Sequence, residues 1–142
     1  MTSTDKFRQQ HNELLNLANE LQELLDENIL VEDGTAARRC LGSFMGRLQM
    51  HLAMEDKVLY PELEAHKNPE VATLARRFSA EMKTMPINVV AYNVRWATPS
   101  AIKADACGFI EETRAVIKFL TDRIRRENQE LYAMADRSEE SA

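Results

Sequence analysis

Apolar residues recur at steps of three and four through nearly all of this chain. That spacing builds amphipathic helices and leaves no strand alternation to compete with them. Four stretches carry it, at about residues 4–28, 36–64, 69–97 and 106–136. The stripes run Phe7, Leu14, Ala18, Leu21, Leu25; then Leu41, Phe44, Leu48, Val58, Leu59; then Ala75, Phe78, Met82, Met85, Val89, Tyr92, Trp96; then Val116, Leu120, Leu131. The breaks are "EDGT", "AHKNPE" and "ATPSAIKAD", with Asp105 placed to cap the last helix. Pro86 removes a backbone donor inside the third stretch and should kink it. The tail "RSEESA" is polar and is expected to fray. Only four Gly and four Pro punctuate 142 residues, a length suited to one domain over residues 1–142 with a single core. Four amphipathic helices with short connections predict an all-α, up-down-up-down four-helix bundle.

The two halves repeat each other. Laying Phe7 on Phe78 carries Leu14 onto Met85, Ala18 onto Val89, Leu21 onto Tyr92 and Leu25 onto Trp96. Laying Leu48 on Leu120 carries Glu55 onto Glu127, Leu59 onto Leu131 and Tyr60 onto Tyr132. The fold therefore reads as two similar helical hairpins. Under the same alignment His11 meets Met82 and His51 meets Arg123. One half holds His and His-x-x-x-Glu; the other holds Met and Arg-x-x-x-Glu.

These polar residues sit on the apolar seam. His51 and Glu55 are one turn apart and share a face. A buried carboxylate needs a partner or a metal, and a bundle core lined by His and Glu is a common way to build a metal site. Neutral imidazole with carboxylate suits iron, zinc or manganese. The competing readings are a hydrogen-bonded core histidine at His11 and an i,i+4 ion pair between Arg123 and Glu127. His66 reads as a solvated loop residue, and Met45, Met50, Met54, Met82 and Met85 as core packing. Glu81 flanks the third seam and could face either way.

Composition narrows the function classes. A net charge of −5 disfavours nucleic acid. No run is apolar and long enough to span a membrane, and the start "MTSTDKFRQQHNELL" has no signal-peptide pattern. Cys40 and Cys107 form no C-x-x-C pair and read as reduced, buried or half-buried thiols of a cytoplasmic protein. No nucleophile–base pair or phosphate loop argues for an enzyme.

His11, then "HLAMEDKVLYPEL" with His51 and Glu55, then Glu127 followed by "ELY" resemble the hemerythrin-like (HHE cation-binding) domains, over about residues 4–136. The resemblance implies a four-helix bundle with a non-haem iron centre, and a role in sensing, binding oxygen or nitric oxide, or handling iron. It implies that His11, His51, Glu55 and Glu127 serve one iron, with both glutamates bridging to a second. The second iron's histidines are missing: the third helix has none, and Arg123 stands where the fourth helix would supply one. Arg123 would then sit beside Glu55 and Glu127 as a fixed cation. Three outcomes remain open: one ion with Arg123 replacing the other; a carboxylate-rich pair using Glu81, as in a di-metal oxidase or peroxidase; or a metal-free bundle acting as a protein-interaction module. Partners on these readings are a metal ion with a small diatomic ligand, or a protein or second copy of the chain.

Overall fold

A computed structural model describes residues 4–83 and 85–140, with the side chains of 85–87 and 140 excepted. Among the described residues the chain is all-helical. Its elements are α1 Asp5–Glu23, α2 Glu27–Glu32, α3 Thr35–Met54, α4 Tyr60–Glu64, α5 Pro69–Glu81, α6 Met85–Arg95, α7 Pro99–Ala104, α8 Ala106–Arg126 and α9 Ala133–Glu140. Two π-helical turns, Glu55–Leu59 and Glu127–Tyr132, join α3 to α4 and α8 to α9.

The long helical paths follow the expected stretches, with four differences. The first path breaks after α1, because Asp26 caps a new short helix by accepting from the amides of Asn28 and Ile29. The segment "ATPSAIKAD" contains α7, capped by Thr98 accepting from Ala101. Asp105 then caps α8 by accepting from Gly108. The third path ends α5 at Glu81 and resumes at Met85; the kink expected at Pro86 involves a side chain outside the described residues. The tail is tied rather than frayed as far as it is described: Asn68 Nδ2 donates to Ser138 Oγ, and His66 Nε2 lies 3.0 Å from Glu139 Oε1.

His66 is thus a correction. Its side chain is buried, and its Nδ1 accepts from the Asn68 amide, so it pins α9 against the start of α5. Met50 is another correction, being 64% exposed where a core position was expected; Val58 also leaves the seam. Cys107 is exposed and Cys40 half-buried, both as free thiols.

The core forms two buried clusters. One gathers Leu14, Leu21, Leu41, Phe44, Leu48, Tyr92, Trp96, Phe109 and Leu120. The other gathers Phe7, Leu59, Tyr60, Val71, Phe78, Leu131 and Tyr132. Helix α1 packs on α3 and α8, and α5 packs on α4 and α9. Along α1, His11 falls between Phe7 of one cluster and Leu14 of the other. His51 falls likewise between Leu48 and Leu59, and Arg123 between Leu120 and Leu131. No helix among the described residues is long and apolar enough to cross a membrane.

Candidate metal centre

His11, His51, Glu55 and Glu127 meet between the two clusters, all buried, each offering one donor atom within 4.8 Å of the others. The imidazole Nε2 atoms of His11 and His51 are 3.1 Å apart. His11 Nε2 lies 3.4 Å from Glu127 Oε1, and His51 Nε2 lies 3.3 Å from Glu55 Oε1. A transition-metal ion with bonds near 2.0–2.1 Å has donor–donor edges of about 2.9–3.4 Å. The donor types and these three edges therefore fit such an ion.

The far nitrogens are also engaged. His11 Nδ1 is 2.8 Å from Asn128 Oδ1, and His51 Nδ1 is 2.7 Å from Gln10 Oε1. An amide oxygen only accepts, so each Nδ1 carries the proton. Both Nε2 lone pairs then face each other in a buried space. That arrangement calls for a cation between them, either a metal or an extra proton on one ring. Burial lowers the His51 pKa, against the pull of Glu127, and so favours its neutral form.

The carboxylates are held from behind. Tyr60 donates to Glu127 Oε2 at 2.6 Å, and Tyr132 donates to Glu55 Oε2 at 3.0 Å. Each tyrosine thus holds the glutamate of the other half. Burial, then the neighbouring Glu127, pushes Glu55 well above the usual carboxylate range. Burial pushes Glu127 up too. Hydrogen bonds with Glu55 and His11, the electrostatic pull of the His11 ring whenever it is protonated, and the Arg123 charge outweigh it, holding Glu127 at about 2. Two adjacent buried carboxyls resist losing both protons, so the pair titrates as a unit.

Arg123 is buried but does not fork onto the two glutamates. Its Nη2 donates to Tyr60 Oη at 2.9 Å and to the Phe78 carbonyl at 2.7 Å, and its Nη1 donates to Glu81. Tyr60 therefore stands between the guanidinium and Glu127. Among the described residues Arg123 Nε is buried without a hydrogen-bond partner, and nothing in the structure accounts for it. Glu81 stands outside the four-residue group. It is 41% exposed and also accepts from Arg126, whose hydrogen bond lowers its pKa. Met82, the counterpart of His11, packs partly buried on the first cluster.

A cavity of about 440 Å³ opens onto Glu55 and Tyr60 between α3 and α5–α6; Leu52, Met82 and Val89 line it, with exposed Lys57 and Lys83. The description of the hemerythrin HHE cation-binding domain matches residues 2–135. The chain belongs to the hemerythrin family. Comparison with curated proteins and with solved structures returned no match. Membership together with the buried His/Glu group supports metal binding.

Gln10 and Asn128 escaped the sequence reading. Each adjoins a seam residue in the chain, His11 or Glu127, but side-chain amides carry no periodic signal. The two π-helical turns did leave one. His51, Glu55, Leu59 and Leu63 are all buried at constant steps of four, as are Arg123, Glu127, Leu131 and Ala135.

Proposed function

We propose that this hemerythrin-family chain is a single four-helix-bundle domain, up-down-up-down in two similar hairpins, that holds one non-haem metal ion, iron in the ferrous state. His11, His51, Glu55 and Glu127 are its ligands. The observation that carries the reading is the pair of imidazoles, each with Nδ1 against an amide oxygen, whose Nε2 atoms converge at 3.1 Å beside two carboxylates. The outer oxygens favour one ion rather than two. Glu55 Oε2 and Glu127 Oε2, the atoms left for a second ion, each accept a tyrosine hydroxyl. Arg123 reaches the site only through Tyr60, and its own charge is paired with Glu81. Glu81, engaged by two arginines, supports no carboxylate-rich second site.

The role we assign is sensing or binding a small diatomic ligand, or handling the metal, rather than turnover of an organic substrate. The cavity bordering Glu55 supports ligand access from the α5–α6 side. The two free thiols suit a reducing compartment such as the cytoplasm.

Metal analysis of protein purified without chelator or affinity tag tests this. The expected result is one ion per chain, lost on His51→Ala, with no near-ultraviolet oxo-bridge absorption in the iron form. The metal-free reading has one supporting feature: the 3.1 Å between the Nε2 atoms of His11 and His51 also suits a shared proton in place of the ion. Substoichiometric metal, indifferent to His51→Ala, would decide for that reading.

A further inference from the structure

The two amides behind the imidazoles do more than orient them. We propose that Gln10 and Asn128 are positioning residues that make this centre selective for a divalent over a trivalent ion. The inference rests on the one-ion reading above and adds the residues that set its charge.

Both contacts are short, 2.7 Å from His51 Nδ1 to Gln10 Oε1 and 2.8 Å from His11 Nδ1 to Asn128 Oδ1. Both cross between helical paths. Gln10 precedes His11 on α1 yet holds His51 of α3. Asn128 follows Glu127 in the second π-helical turn yet holds His11 of α1. Each ligand histidine is thus fixed by a residue adjoining a different member of the set, which locks the relative positions of three helical paths as well as the ring tautomers.

The chemical identity of the two acceptors matters as much as their position. A histidine ligand is commonly backed by a carboxylate, a carbonyl or water, and a carboxylate raises the basicity of the ring. Here both acceptors are neutral. The formal charge of the donor set comes from Glu55 and Glu127 alone, two negative charges. A divalent ion balances them. A trivalent ion leaves a surplus positive charge in a buried site, with the Arg123 guanidinium one tyrosine away. An uncompensated charge at low dielectric is costly, so the divalent state is favoured. Each outer carboxylate oxygen already shares its negative charge with a hydroxyl, Glu127 with Tyr60 and Glu55 with Tyr132.

The test uses the full chain and the isosteric substitutions Gln10→Glu and Asn128→Asp, which keep an acceptor oxygen in place and add charge. Gln9→Glu, at an exposed position one residue from Gln10, adds the same charge at a residue that does not back either imidazole Nδ1. Ferrous and zinc affinities are measured by anaerobic chelator competition, and ferric affinity by competition with a ferric chelate. Nitrogen-resolved NMR of the zinc-loaded wild type reads the imidazole protonation directly.

The expected result is Nδ1–H on both His11 and His51. The ferric-to-ferrous affinity ratio should rise about tenfold or more in each carboxylate variant, the size typical of a changed ligand-orienting partner, and stay unchanged in Gln9→Glu. Nε2–H on either ring would overturn the proposal even if a variant failed to fold. So would a ratio that stays fixed in both carboxylate variants, or that moves equally in Gln9→Glu. A wild type that binds no ion removes the one-ion reading and this inference together. An ion bound with unaltered selectivity removes this inference alone.

Discussion

At the residue scale burial sets the two glutamates of the centre apart in proton affinity. Folding raises the proton affinity of Glu55, chiefly through burial and the neighbouring Glu127. The metal-free folded chain therefore keeps a proton that the unfolded chain releases above about 4.5. With a folded-state pKa raised, the contribution of this carboxyl is most favourable below that value and declines as pH rises. Glu127 acts oppositely. Its stabilisation is present above about 4.5 and lost as pH falls toward about 2. A metal on Glu55 must displace its proton, so affinity should climb with pH by up to about tenfold per unit while one proton is exchanged. Thermal melts of chelated and zinc-loaded protein across mildly acidic to neutral pH check this. The metal-induced rise in Tm should widen as pH increases, and a constant difference would contradict the raised proton affinity of Glu55. The seam positions of His11, His51, Glu55, Glu127 and Arg123 were legible because each interrupts an apolar stripe. The partners of Arg123 were not. That Tyr60 would stand between it and Glu127 depends on how the two halves cross, which a one-dimensional pattern does not contain. His66 was misread for a similar reason: its burial comes from α9, far away in sequence.

At the element scale the decisive feature is the pair of π-helical turns. Four residues of an α-helix sweep about 400°, so each step of four drifts about 40° around the axis. The three steps from His51 through Glu55 and Leu59 to Leu63 would carry the last residue about 120° off the seam. Yet Leu63 is buried, and the run from Arg123 to Ala135 behaves the same way. A widened turn starting at each glutamate absorbs one surplus residue and restores the register. The repeat was visible in the sequence, and the constant step of four within it was the overlooked sign that these were not plain α-helices. Deleting Asp56 should return the first turn to α-helix, with the buried positions now at steps of four, three and four. Far-ultraviolet circular dichroism should stay helical, because the apolar stripe survives. Metal affinity should fall about ten- to a hundredfold, as for other displaced ligand supports, since the carboxylate of Glu55 no longer projects from a widened turn. Unchanged affinity by chelator competition would mean that the turn serves packing alone.

At the scale of the whole molecule, the centre is a polar seam between two apolar clusters, and the clusters depend on it unequally. The cluster with Leu41, Phe44, Trp96 and Phe109 closes on itself through α1, α3, α6 and α8. The other contains Tyr60 and Tyr132, whose hydroxyls end on Glu127 and Glu55, and Phe78, which packs against the guanidinium of Arg123. Its packing is thus joined directly to the charge state of the ligands. An ion at about a hundred times its dissociation constant adds about 2.7 kcal/mol to the state that binds it. That stabilisation should appear first in α4, α5 and α9, which form the cluster tied to the two glutamates through Tyr60 and Tyr132, and least in α7 and the start of α8. Hydrogen exchange on protein with and without zinc measures the distribution. Amides of α4, α5 and α9 should exchange up to about a hundredfold faster after chelation, the factor equivalent to that free energy. Those of α7 and the first turns of α8 should change little. A uniform acceleration along the chain would instead mean that the two clusters open as one cooperative unit, with the seam transmitting the loss of the ion to both.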